Sequence, residues 1–166
     1  ASMWQKTYDI DGFDNSGTGL TVDKDGNLGI VGSISGPGDF IAVYKINGQN
    51  GDVIWQGRVL NSLFYNGNSY SGMGDRLFGE VFSSDIAADT QGNFYFTFNT
   101  YVPWYPGVIA MVTKFNGSTG TVMWARQLNY DDYREAVGSV ICDEQNNLYV
   151  STTMIKYKND YNVGSS

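Results

Sequence analysis

The sequence predicts an all-β chain of tandem four-stranded antiparallel meanders. Three observations carry this prediction: a repeated turn motif, a repeated tryptophan segment, and the lack of any stretch with a helical 3.6-residue period. The turn motif is Asp-x-x-Gly-Asn or a close variant, and it begins at Asp23, Asp89 and Asp143. An apolar residue lies three places before each of these aspartates. Internal repeats of this size are typical of stacked or radial architectures.

The tryptophan segment supplies the second repeat. An Asn-Gly pair is followed, eight residues after the Asn, by a tryptophan, from Asn47 to Trp55 and again from Asn116 to Trp124. Trp4 lies 19 residues before the first turn motif, as Trp124 lies 19 residues before the third. We therefore interpret Trp4 as the remnant of a further copy of this segment.

The best-preserved unit shows how each element is justified. Apolar residues and turn residues divide it into strands near 20–22, 28–31, 40–46 and 52–59, separated by turns at 23–27, 36–39 and 47–51. Asp-Gly and Asn-Gly between apolar stretches are strong hairpin signals, because Gly and Asn tolerate the positive φ of tight turns. The second unit contains the same elements with an insertion of 15 residues around 61–79.

Meanders repeated in tandem are the blades of a β-propeller, in which each sheet packs against its neighbours around an axis. The units span about 19–60, 61–128 and 129–166, which makes two full blades and part of a third in a single repeat region. Since closed propellers usually have four to eight blades, we expect this region to be a segment of a longer chain, and the alternative is that copies of it assemble into a ring. The repeated tryptophan then packs across the gap between adjacent blades.

The two motifs resemble those of known propellers. Asp23-Lys-Asp-Gly-Asn-Leu28 and Asp89-Thr-Gln-Gly-Asn-Phe94 are similar to the bacterial β-propeller repeat, Asp-x-x-Gly-Asn-x-Tyr-Val followed by Phe-x-x-x-Lys. The segments that end at Trp55 and Trp124 resemble the tryptophan-docking turns of quinoprotein-like propellers. Gly29 departs from the motif where Tyr is usual, and Asn146 where the turn Gly is usual. The resemblance implies a binding or scaffolding role in a secreted, cell-surface or virion protein, such as a phage structural or tail protein.

Composition and charge disfavour several classes of function. The net charge of −7 disfavours nucleic acid, whose phosphates need a basic surface, and no apolar run is long enough to span a bilayer. The chain has no His and one cysteine, Cys142, so the commonest general base and metal ligand is missing. We interpret Asp131, Asp132 and Glu135 as a solvated loop, and the Asp23 segment as a hairpin turn rather than a calcium loop. From the sequence we expect a protein that is not an enzyme and that has no catalytic residue, no bound metal and no cofactor.

Aromatic residues in the segments that interrupt the repeat are the candidate binding residues. They lie among amide, hydroxyl and glycine residues in the insertion and between Thr100 and Pro106: Tyr65, Tyr70, Tyr101, Trp104 and Tyr105. Such side chains make adaptable contacts with proteins and stack on sugar rings, although they also suit packing on a neighbouring blade. We expect an extracellular or virion-surface adhesion or structural module that binds a protein partner, neighbouring subunits or a glycan. The alternative is a fragment of a quinoprotein-like propeller dehydrogenase.

Overall fold

The computed structural model of the chain describes residues 4–9, 14–35, 40–60, 81–102, 107–128 and 133–156. Ten strands occur in these ranges. In chain order they are β1 Asp14–Val22, β2 Leu28–Ser35, β3 Phe40–Ile46, β4 Val53–Leu60, β5 Val81–Ala88, β6 Phe94–Val102, β7 Gly107–Phe115, β8 Val122–Leu128, β9 Tyr133–Cys142 and β10 Leu148–Lys156. The all-β fold class is confirmed.

The strands form three antiparallel sheets that follow the sequence repeat. Sheet order is β1-β2-β3-β4 in blade 1, β5-β6-β7-β8 in blade 2 and β9-β10 in blade 3. Each sheet is a meander of sequential neighbours, which is what short hairpin connections dictate. The first strand pair of every blade has one register shift, as between Gly17 and Gly19 in blade 1. The predicted tandem meanders are therefore present, and the blades are propeller-like.

The principal core lies between blades 1 and 2. Residues alternate along each strand, so that Val31, Ile41 and Val43 of blade 1 face Phe94 and Phe96 of blade 2, all fully buried. Burial of this much aliphatic and aromatic surface is the main stabilisation of the pair of sheets. A smaller cluster joins blade 2 to blade 3, and a third covers the outer face of blade 1.

The turn motif adopts the same backbone in all three blades. The amide of each Asp donates to the carbonyl of the Asn four residues later, as from Asp23 to Asn27 at 2.8 Å. The fourth turn residue has a positive φ, 77° at Gly26, 82° at Gly92 and 64° at Asn146. Asn tolerates this left-handed region better than other non-glycine residues, which explains how Asn146 replaces Gly without losing the turn.

Candidate functional site

The turn motif builds a buried polar network at one end of blade 1. Asp23 is 5% exposed, and its Oδ1 accepts hydrogen bonds from the amides of Asp25 and Asn27 at 2.9 and 2.8 Å. Its Oδ2 lies 2.8 Å from Lys45 Nζ. The carboxylate is thus saturated by protein donors, and the predicted hairpin turn is the observed structure of this segment.

Blade 2 repeats the network with one addition. Asp89 accepts from the amide of Asn93 at 2.8 Å, pairs with Lys114 at 3.1 Å, and also accepts from the hydroxyl of Tyr95 at 3.2 Å. In blade 1 the position of Tyr95 is occupied by Gly29. A Cβ at Gly29 would lie 2.6 Å from the ring of Phe94, so the Phe94 ring of blade 2 fills the space that a tyrosine would need.

These partners determine the direction in which the pKa of each of the two aspartates is shifted. Burial alone would raise the pKa of Asp23, but Lys45 and the turn donors outweigh it and lower the pKa below its usual value. The pKa of Asp89 is lowered in the same way against burial, by Asn93 and Lys114. Burial would lower the pKa of Lys114, yet Tyr95 and Asp89 raise it. The Asp23 and Asp89 carboxylates and the Lys114 ammonium are therefore charged at neutral pH.

The lowered pKa values predict acid sensitivity. Because the unfolded aspartates titrate near pH ~3.9, the unfolded chain binds more protons than the folded chain as pH falls through that range. We expect the free energy of unfolding to be constant between about pH 7 and pH 5 and to fall below about pH 4. Urea denaturation at each pH measures it. A double variant, Asp23→Asn with Asp89→Asn, should be less stable at pH 7 and flatter below pH 4, and an unchanged acid slope would contradict this assignment.

Tryptophans join consecutive blades at the same end. Trp55 of β4 donates from Nε1 to the carbonyl of Gly117 in blade 2 at 2.9 Å and stacks on Phe115 with ring centroids 6.2 Å apart. Trp4 contacts blade 1 in the same way, since its Nε1 donates to the carbonyl of Gly48 at 3.0 Å. The predicted packing of tryptophan across the gap between blades is confirmed.

Lys45 is a second link between blades that the sequence did not indicate. Besides its ion pair with Asp23, its Nζ donates to the same Gly117 carbonyl at 2.9 Å and lies 5.6 Å from the ring centroid of Phe94. Two donors from blade 1, Trp55 and Lys45, therefore converge on one backbone oxygen of blade 2. The partners are 72 residues apart in the chain, which places the contact beyond any local sequence pattern.

Two side chains of blade 2 form hydrogen bonds with the backbone of blade 3 and so hold the two blades together. Asn99 donates from Nδ2 to the carbonyl of Val137 at 3.2 Å and accepts from the Val137 amide at 2.8 Å. Asp85 accepts from the amide of Val140 at 3.1 Å. Cys142 is a partly buried member of the apolar cluster between these blades. Burial is the main cause that raises the pKa of its thiol, as expected for a packing residue.

The predicted binding residues belong to, or lie next to, the segments that connect strands of the sheets. The turns at 23–27, 47–51, 89–93, 116–120 and 143–147 share one end, so the connections that follow β2, β4, β6 and β8 all leave the other, which we call the loop end. Tyr65, Tyr70, Trp104 and Tyr105 lie outside the described residues, in two of these connections. Tyr101 is on β6 close to the loop end, paired with Val108, and its side chain is outside the described set.

An apolar hollow of about 220 Å³ opens on the outer face of blade 1, in the half nearer the loop end. Tyr8 and Tyr44 flank it with ring centroids 6.1 Å apart, and Ser16, Ser33 and Ile34 complete much of its wall. Tyr8 is held in place by a 2.8 Å hydrogen bond from its hydroxyl to the carbonyl of Gly51. Sequence reasoning missed both tyrosines, because Tyr44 lies in a regular strand of the repeat and Tyr8 lies before the first repeat unit.

Within the described ranges, no three acidic, histidine or cysteine side chains converge in a way that would hold a metal ion. Asp131 and Asp132 lie outside those ranges, as does the side chain of Glu135. The same ranges contain no helix long and apolar enough to cross a membrane.

The sequence matches no protein-family model and no curated protein. Among solved structures, the chain is similar to an endo-arabinase from Bacteroides thetaiotaomicron VPI-5482, with 14% identity and a TM-score of 0.47. The match covers 96% of this chain and 62% of that chain, so this chain spans less than two thirds of that protein's length.

This neighbour corrects one prediction. The absence of histidine led us to expect that the chain is not an enzyme, whereas the neighbour that matches nearly all of the chain is an endo-arabinase. The physical error lies in the inference itself, because carboxylates alone suffice for glycoside chemistry and a fold does not fix a function. The likeness assigns no activity to this chain.

Proposed function

We propose that this chain is an interaction module that binds its partner at the loop end of stacked β-blades. The observation that carries the proposal is topological. The long connection 61–80 and the aromatic connection 103–106 leave the sheets at one end, while five-residue turns, buried ion pairs and docked tryptophans hold the other end. Loops presented by a rigid scaffold are the usual location of recognition residues.

A glycan is the partner class that the structure favours. The hollow beside Tyr8 and Tyr44 is small, apolar and bordered by serine hydroxyls. A sugar ring presents an apolar face and polar edges, so it can pack against tyrosine rings while its hydroxyls bond to polar groups at the rim. A protein partner, as in a cell-surface or virion assembly, is the second candidate, since tyrosine, tryptophan and asparagine in loops also suit protein recognition.

We expect aromatic substitutions at the loop end to reduce partner binding by about tenfold or more, equivalent to about 1.4 kcal/mol. The variants are Tyr65→Ala with Tyr70→Ala, and Trp104→Ala. A glycan array identifies ligands of the intact chain, and calorimetric titration with the best ligand measures each variant. Tyr149→Ala is the matched control, because Tyr149 is 53% exposed next to the turn at the opposite end. Equal affinity of all these proteins would contradict the proposal.

Replacing residues 61–75 by a short turn separates binding from folding. The insertion has no counterpart in the other repeat unit, and long surface connections contribute little to stability beyond their closure entropy. We expect circular dichroism and the urea midpoint to stay close to those of the parent, while partner binding falls. Loss of cooperative unfolding would instead show that the insertion is a structural part of the blades.

A further inference from the structure

Two threonine side chains of blade 2 are buried, and their hydroxyls have no hydrogen-bond partner in the part of the chain that the structure describes. Thr97 of β6 and Thr113 of β7 are both 0% exposed. They lie on opposite faces of the sheet, because Thr113 pairs with Phe96, the residue that precedes Thr97. A buried hydroxyl that lacks a partner destabilises the folded state. Each of the two therefore needs a physical explanation.

The neighbours of Thr113 on its face of the sheet are apolar. Thr113 lies between Met111 and Phe115 along β7, and it is opposite Phe96 and Ala125 on the adjacent strands. All four neighbours belong to the principal core between blades 1 and 2 or pack against it. An apolar site of this kind stays dry. The Thr113 hydroxyl is thus an unsatisfied group in an apolar environment.

The neighbours of Thr97 include two polar side chains. On the face that turns toward blade 3, Asp85 is opposite Thr97 on β5, and Asn99 is two residues further along β6. Side chains directly opposite each other have Cβ atoms about 5 Å apart, but Thr97 and Asp85 form no direct hydrogen bond. Asp85 accepts instead from the amides of Ile86 and Val140, at 2.9 and 3.1 Å. Its two oxygens still have lone pairs for further donors.

A β-bulge of blade 3 lies across from this face. The pairing of β9 with β10 shifts between Val137 and Val140, with the extra residue on β9. Blade 2 holds both ends of the bulge, since Asn99 bonds the backbone of Val137 and Asp85 bonds the amide of Val140. A bulge takes backbone polar groups out of the ladder between strands. Thr97 is next to both of the anchoring side chains, so the bulge passes over its hydroxyl.

The inner strands of blades 2 and 3 are held further apart here than those of blades 1 and 2. Gly19 takes the place of Asp85 in blade 1, and a Cβ at Gly19 would lie 3.1 Å from the amide nitrogen of Ile86. The equivalent nitrogen in blade 3, that of Val140, is 3.1 Å from Oδ2 at the far end of the Asp85 side chain. A carboxyl group therefore separates the second pair of strands. In the closer interface the position of Thr97 is taken by Val31, a residue of the apolar core.

We propose that Thr97, Asp85 and the backbone of the β9 bulge bind one buried water molecule. The Thr97 hydroxyl donates to the water oxygen, and the water donates to the Asp85 carboxylate and to a backbone carbonyl of the bulge. Buried waters typically make about three such bonds to polar groups, so this one satisfies the Thr97 hydroxyl and links blade 2 to blade 3. Between blades 1 and 2 the same positions hold Gly19 and Val31, which cannot form the site. The site is separate from the loop end and does not depend on the function proposed there.

A high-resolution crystal structure of the full chain tests the site directly. It should show a water oxygen within hydrogen-bond distance of Thr97 Oγ1 and of one Asp85 oxygen, and no water at Thr113 Oγ1. Thr97→Val should lose this water, because valine has the same shape without the hydroxyl. A dry site at Thr97 would overturn the proposal. An ion in this position would overturn it as well, since the site would then be an ion site.

Removing each hydroxyl in turn tests the same inference in solution. Thr97→Val should lower the folding equilibrium constant about fivefold or more, because the bonds through the water are lost. Thr113→Val is the matched control, and it should raise that constant or leave it unchanged, because it removes an unsatisfied hydroxyl from an apolar site. Urea denaturation measures both. Equal stabilisation by the two substitutions would show that Thr97 is also dry and would overturn the proposal.

A second variant keeps the test decisive if Thr97→Val does not fold. Thr97→Ser retains the hydroxyl and removes one methyl group, so a crystal structure of this variant should retain the water on Ser Oγ and Asp85. A hydroxyl at this position without a bound water would count against the proposal as clearly as a dry site in the parent chain.

Discussion

Replacing Trp55 by alanine should lower the free energy of unfolding by about 3–5 kcal/mol, the usual cost of removing a packed tryptophan. The change removes the ring from between Phe94 and Phe115 and deletes the hydrogen bond to Gly117. It also leaves a cavity against Gly120, whose Cα approaches the ring so closely that no Cβ would fit. Urea denaturation followed by circular dichroism measures the loss as a lower midpoint at an unchanged slope.

The same substitution at Trp124 is the matched control. Trp124 occupies the equivalent strand position, but within the described residues it lacks both the accepting carbonyl and the glycine turn that enclose Trp55. We expect Trp124→Ala to cost about 1–2 kcal/mol, within the ordinary range for a partly buried side chain. Equal losses at the two positions would show that turn docking contributes nothing, and a loss at Trp55 below about 1 kcal/mol would contradict its place between blades.

The strands and turns were predictable because their signals are local and occur more than once. Asp-x-x-Gly-Asn specifies its own turn through the Asp side chain, whose oxygens bond backbone amides two and four residues later. The φ of Asn146, 64°, lies in the same left-handed region as those of Gly26 and Gly92. The three copies therefore share a backbone conformation at this position and not a residue type. The alternation between turns then assigns each side chain to one face of a blade.

Contacts between blades could be predicted only where a rare and large residue type recurs at the position of the contact. Tryptophan is rare and large, so its recurrence indicated a packing role, and the structure places Trp55 between two blades. Lys45 also recurs, as Lys114, but this did not indicate a contact between blades, because a lysine on an exposed strand face and one that bonds an adjacent blade look identical in sequence. Gly29 was noted only as a departure from the motif, and its reason is a ring from the next blade.

For the candidate site too, one part could be predicted and another could not. The end of the sheets from which its connections leave follows from the order of the strands, because every second connection in a tandem meander leaves the same side. The individual contacts of Tyr65, Tyr70 and Trp104 depend on connections that do not repeat, so no second copy constrains them. Tyr8 and Tyr44 were missed for the converse reason. Tyr44 lies inside the repeat, where an aromatic residue is ordinarily interpreted as core, and Tyr8 lies before the first unit.

Replacing Lys45 by methionine should cost about 3–5 kcal/mol, the range found when one partner of a buried ion pair is removed. Methionine preserves much of the apolar volume over Phe94 but leaves the Asp23 carboxylate, 5% exposed, without its counter-charge. It also removes one of the two donors to the Gly117 carbonyl. The loss should be measured by urea denaturation at pH 7, where Asp23 is ionised.

A double variant distinguishes the unpaired charge from the lost cross-blade bond. Asp23→Asn keeps an oxygen for the turn amides while removing the charge, so adding it to Lys45→Met should restore about 1–3 kcal/mol. The remaining deficit then measures the bond from Lys45 to Gly117 and its contact with Phe94. Lys114→Met is the comparison in blade 2, and it should cost less because Tyr95 still donates to Asp89, whereas Gly29 offers no such donor to Asp23. A Lys45→Met protein as stable as the parent would mean that the ion pair is offset by its desolvation, and that Trp55 alone joins the two turns at this end.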